Sequence, residues 1–119
     1  MPEDVKLVAL DIDGTLLAPG VPHNAVPDDT VVGAVKALQA RGIVVMLATG
    51  RMYPGTAPIA NHLGIREPAI CQQGASIHHA DGELRYAYSI DQDIAAELYD
   101  FAISHGYSLA WFDHERYLV

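Results

Sequence analysis

Positive charge is scarce in this sequence. Lys and Arg together number seven against fifteen Asp and Glu, and the formal net charge is −8 with His neutral. The seven cations are scattered, which excludes the clustered basic surface that nucleic acid requires. Cysteine is nearly absent: Cys71 stands alone, so no internal disulfide can form. That fits a reducing compartment, and a cytoplasmic location is expected. Long apolar runs are lacking too. None approaches the roughly 20 residues that span a bilayer, so no membrane partner is expected. The opening "MPEDVK" is acidic, unlike a signal peptide. Repeats and low-complexity tracts are missing.

What is present is enough apolar material for one core: half of the 119 residues, mostly Ala, Val, Leu and Ile. "VKLVAL" (5–10) is a short apolar run suited to a strand buried on both faces. A Gly- and Pro-rich break follows. "DDTVVGAVKALQARG" then reads as a helix, capped by Asp28 or Asp29 and stopped at Gly42. "IVVMLA" (43–48) is a second buried strand. "PGTAPIANHLG" is a helix with Pro54 in its first turn and Gly64 at its end. "PAICQQ" (68–73) is a third strand. This alternation predicts an α/β fold, a parallel Rossmann-like three-layer core with helices on both faces. Ligands of such sheets sit beyond the carboxyl ends of the strands.

After Gly74 the pattern changes. Asp81-Gly82 separates two strand-like runs and predicts a two-residue hairpin link. "DQDIAAELYDFAISHG" reads as a helix with Asp91 as cap, an apolar face of Ile94, Leu98, Phe101 and Ala102, and a stop at Gly106. "YSLAWFDHERYLV" reads as a hairpin turning near Asp113 and His114, with Trp111 and Phe112 in a core.

The first strand ends in "DIDGT". Side chains two apart on extended chain point the same way, so Asp11 and Asp13 face one volume beyond the sheet. Two carboxylates there repel unless a cation or shared proton intervenes. An oxygen-rich acidic site receiving a phosphate suits Mg²⁺. One carboxylate can attack phosphorus; the other can move protons. The second strand ends in Thr49, Gly50 and Arg51, which bring a hydroxyl, a backbone N–H and a positive charge to phosphate oxygens. A lone Asp-x-Asp-Gly is often an ordinary turn. Its position after an apolar strand, with Thr-Gly-Arg after the next, weakens that reading.

"DIDGTLL" and "LATGR" resemble the first and second signatures of the haloacid dehalogenase-like hydrolases. "QGASI" (73–77) resembles the Asn-Gly-Ala segment of their Cof-type, sugar-phosphatase-like branch, with Gln73 in place of the usual Asn. The resemblance implies a cytoplasmic, Mg²⁺-dependent phosphatase of small phosphorylated metabolites working through an aspartyl-phosphate. Asp11 would be the nucleophile and a metal ligand. Asp13 would be the general acid/base and a metal ligand through its carbonyl. Thr49 and Gly50 would bind the transferring phosphoryl group. A phosphomutase using the same intermediate is the alternative within the family.

The resemblance further implies an N-terminal part of the core in residues 1–82 and the first part of an α/β cap in residues 83–119. In that branch a later lysine and a Gly-Asp-x-x-Asn-Asp run complete the site. No lysine follows Lys36, and no such run follows Arg51. The expectation is therefore the N-terminal part of a longer hydrolase, inactive alone. A non-catalytic module is the alternative outside enzymes, with the open edge of the third strand inviting homo-oligomerisation. His78 and His79, adjacent on a strand, face opposite sides and cannot share a metal.

Overall fold

The computed structural model describes residues 4–114 and 116–118. Glu115 and Val119, which the sequence places in the last hairpin, lie outside the described residues. Strands β1 (Leu7–Leu10) and β2 (Val44–Leu47) pair in parallel, from Leu7 opposite Val44 to Leu10 opposite Leu47. β3 (Ala69–Cys71) runs along the other edge of β2. It is joined there by a parallel bridge between Ala48 and Ile70, where the Thr49 N–H donates to the Ile70 carbonyl at 2.9 Å.

The crossovers are helices α1 (Asp29–Ala40) and α2 (Tyr53–Leu63). Asp28 caps α1, its carboxylate accepting the Val31 N–H at 3.1 Å. This satisfies one of the orphan donors of the first turn. Pro54 sits at the start of α2, and Gly64 ends it in the left-handed conformation at φ +68°. Pro58, expected within the first turn, is the sixth residue of the helix, so the bond its N–H would have given to the Pro54 carbonyl is missing.

The two helices pack against each other on one face of the sheet. Val35 of α1 and Ile59 and Leu63 of α2 meet Val45, Leu47, Ala69 and Cys71 in one buried cluster. The α/β fold with its parallel sheet is as expected; in this part of the core both crossovers lie on one face, where the sequence reading put helices on both. Strands added one after another in the same direction, each through a right-handed crossover, place their helices on the same side. The opposite face is thinly covered: Leu7 is 50% exposed and Val44 38%. β1 is therefore not buried on both faces, although its sequence is continuously apolar.

β3 does not end the sheet. Its chain turns through a short 3-10 segment, Gln72–Gly74, and returns antiparallel as β4 (Ser76–His78), which pairs with β5 (Leu84–Ala87). The expected open edge of the third strand is thus occupied by β4. The β4–β5 link is also longer than two residues. The Gly82 N–H donates to the His79 carbonyl at 2.9 Å, and only Gly82 of the link has positive φ. That is a three-residue connection closed by a left-handed glycine. The register shift between Ile77 and His78 absorbs the additional residue. His78 is buried and stacks on Tyr53, with ring centroids 4.7 Å apart.

Helix α3 (Gln92–Ser104) starts after Asp91, whose side chain makes no capping bond. It ends at Gly106, where the Tyr107 N–H reaches back to the Ala102 carbonyl at 2.9 Å. Of its apolar face only Ala102 is buried; Ile94, Leu98 and Phe101 are exposed. The hairpin of β6 (Trp111–Phe112) and β7 (Tyr117–Leu118) follows, with Phe112 exposed rather than in a core. The radius of gyration is 17.1 Å. A compact chain of this length would have about 13.5 Å, so α3 and the last hairpin extend the molecule lengthwise.

Candidate active site

The loop after β1 sets the two acids. Ile12 is fully buried in the core cluster, while Asp11 and Asp13 on either side of it are exposed. The Ile12 carbonyl accepts the N–H groups of Thr15, Leu16 and Leu17 at 2.9–3.2 Å. Gly14, at φ +78°, donates its N–H to the Leu17 carbonyl at 2.8 Å. Only a residue tolerant of positive φ closes so tight a loop without strain. One oxygen of Asp11 accepts the Ile12 N–H at 2.8 Å.

Asp11 then lines a cavity of about 300 Å³ with Ala48, Thr49, Gly50, Ile70, Gln73 and Gly74. Thr49 is buried, and its hydroxyl oxygen accepts the Arg51 N–H at 3.0 Å. Its proton remains to donate into the cavity. The structure therefore brings Asp11, Thr49 and Gly50 together at the carboxyl ends of β1 and β2.

Arg51 and Asp13 lie next to this cavity but are engaged with each other. The guanidinium forms a two-pronged fork on the carboxylate, Nε to Oδ2 at 2.8 Å and Nη2 to Oδ1 at 2.7 Å. Its third nitrogen donates to the carbonyls of Gly55 at 3.1 Å and His23 at 3.4 Å. The Arg51 side chain is 9% exposed, that of Asp13 61%. The hydrogen bonds from Arg51 hold the Asp13 carboxyl below its usual range, and Asp13 in turn raises Arg51. The sequence suggested Arg51 for phosphate; in the structure its charge is spent on Asp13.

The sequence reading missed a strained pair. Gln72 and Gln73 both have positive φ, 53° and 59°. Their backbone N–H groups donate to the carbonyls of Arg51 at 2.9 Å and Thr49 at 3.1 Å, which fixes them against the loop after β2. The Gln72 side-chain amide donates to the Asp113 carbonyl at 2.8 Å, tying that loop to the last hairpin. Glutamine has no preference for the left-handed region, so no sequence signal marked these positions. Cys71, just before them, is fully buried, and burial pushes its thiol pKa up. It has none of the electropositive surroundings of a reactive thiol. Among the described residues, no group of three or more His, Cys, Asp or Glu side chains converges on one point. No helix there is long and apolar enough to cross a membrane.

A parallel α/β sheet with carboxylates and a Thr-Gly turn at its strand ends is a Rossmann-like arrangement, with the cavity where such sheets take ligands. Comparison with known proteins makes the class specific. The profile of the haloacid dehalogenase-like hydrolases matches residues 8–119, and the chain belongs to that family. Phosphatase YwpJ of Bacillus subtilis is 34% identical over 113 residues, covering 95% of this chain and 35% of its own. The HMP-PP phosphatase of Serratia proteamaculans is 37% identical over 93 residues, 78% of this chain and 32% of its own. A haloacid dehalogenase-like hydrolase structure from B. subtilis superposes with a TM-score of 0.68 at 31% identity, over 86% of this chain and 34% of its own. BT1666 from Bacteroides thetaiotaomicron shares the fold at TM-score 0.80 and 22% identity, over 98% of this chain and 43% of its own. The chain thus spans about a third of the length of these curated relatives.

Proposed function

We propose that this chain carries the nucleophile-bearing half of a phosphatase acting on small phosphate esters through an aspartyl-phosphate. The observation that carries the reading is the single cavity shared by Asp11, Thr49 and Gly50. The free oxygen of Asp11 attacks phosphorus, and the bond from phosphorus to the ester oxygen breaks. The Thr49 hydroxyl and the Gly50 N–H hold the equatorial oxygens. Asp13 delivers a proton to the leaving oxygen, then takes one from the water that releases phosphate and restores Asp11. The Arg51 fork keeps Asp13 anionic at rest, the form needed for the second step. For the first step the Asp13 side chain must leave Arg51, take up a proton from solvent and turn to the leaving group; the proton it later takes from water restores that acid form.

The donors at the end of β1, the Asp11 carboxylate and the Asp13 carbonyl, are hard oxygens of the kind Mg²⁺ takes. When bound, the ion would neutralise charge between the carboxylate and the incoming phosphate. Residues 83–119, containing α3 and the last hairpin, fit the beginning of a cap that stands away from the core.

The test is hydrolysis of an aryl phosphate with Mg²⁺ by the enzyme extended to the length of its relatives. Asp11→Asn should abolish turnover. Undiminished turnover in that variant would remove Asp11 from the role of nucleophile. The 119-residue chain by itself should show negligible activity.

A further inference from the structure

We propose that Gln73 is a substrate-contacting residue, whose side-chain amide donates a hydrogen bond to a phosphoryl oxygen held beside Gly50. This rests on the reading of Asp11, Thr49 and Gly50 as a phosphoryl site.

Three observations converge on it. Gln73 lines the same cavity as Asp11, Thr49 and Gly50. Its Nε2 lies so close to Gly50 that a Cβ at position 50 would stand 2.5 Å from it. Gly50 does not have a left-handed φ, so no turn requires the glycine there, and its lack of a Cβ leaves room for the Gln73 amide above it. Finally, the amide makes no hydrogen bond among the described residues, so both of its donors remain for a ligand.

The backbone explains how the side chain gets there. At φ 59° and ψ 29° Gln73 is in a region that non-glycine residues enter at a cost. It is held there by its N–H to the Thr49 carbonyl, 3.1 Å away. The left-handed turn carries the side chain back over Gly50, at the wall of the cavity. An Asn at this position tolerates the conformation better. Being one methylene shorter, it stops short of Gly50.

The experiment uses the ¹⁵N-labelled enzyme extended to the length of its relatives, titrated with inorganic phosphate in the presence of Mg²⁺. The Gln73 side-chain NH₂ signals should move together with the Thr49 and Gly50 amides and give the same dissociation constant. A hydrogen bond to a charged group makes Gln73→Ala about tenfold to a hundredfold weaker for phosphate. Gln73→Asn should lose affinity comparably while raising the melting temperature. Saturation of Thr49 and Gly50 with the Gln73 amide unmoved overturns the proposal and leaves the phosphoryl site standing. So does unchanged affinity in both well-folded variants. If none of the three residues responds, the phosphoryl-site reading fails, and the role of Gln73 with it.

Discussion

Breaking the Asp13–Arg51 fork separates stability from chemistry and gives a sign that pH can check. The fork is short on both prongs, at 2.7 and 2.8 Å, but Asp13 is 61% exposed and solvent screens the pair. Exposed ion pairs contribute about 1 kcal/mol or less. A double-mutant cycle through Asp13→Asn, Arg51→Gln and the double variant should therefore give a coupling of about 1 kcal/mol at pH 7, near the upper end of that range. In a domain of this size that corresponds to roughly 4 °C in melting temperature. The carboxyl of Asp13 is depressed in the folded chain by the hydrogen bonds from Arg51. Its contribution is thus fully present above the unfolded value of about 3.9 and is lost as pH falls through the lower folded value. Urea unfolding at intervals from pH 7 down to pH 3 should show the coupling holding to about pH 4 and shrinking below it. A coupling that is zero at pH 7, or that does not shrink on acidification, would refute the fork as an electrostatic contact.

Three further outcomes are expected. Leu63→Ala, at a fully buried position of α2, should cost about 2–5 kcal/mol in denaturant unfolding, because the packed site collapses only in part; a loss under 1 kcal/mol would contradict the core described. Asp28→Ala should cost about 1 kcal/mol by removing the cap of α1, and Asp28→Asn, which keeps an acceptor oxygen, should recover most of it. Cys71 should resist a thiol reagent such as dithionitrobenzoate in the native chain and react at once in urea, since it is fully buried and its thiol pKa is raised. Rapid native labelling would place it at the surface.

The alternation at "DIDGT" was legible as extended chain, although β1 ends at Leu10 and Ile12 sits in a turn. Ile12 goes in, so the acids on either side go out, and the structure shows that pattern. The caps at Asp28 and Gly64 were equally local. What escaped the sequence depended on elements meeting at a distance. Apolar strands do not say which face a helix covers; the direction of strand addition decides that. Arg51 looked free to meet a phosphate, and only the turn at Gly14 brings Asp13 to it. The Asp81-Gly82 pair marked the correct hairpin but not its length, since Gly82 alone takes the positive φ. The left-handed Gln72–Gln73 pair is imposed by bonds to carbonyls twenty or more residues earlier in the chain.

The burial of Ile12 has a consequence for how the acids move. Asp11 and Asp13 hang from one residue whose side chain is fully buried in the core cluster and whose carbonyl gathers three amides. The carboxylates are thus like two arms on a single post set in the hydrophobic interior. Their backbones are fixed with it, while the exposed side chains keep their own freedom to turn. A substitution that empties the pocket of Ile12 would therefore be felt at both acids and not at one.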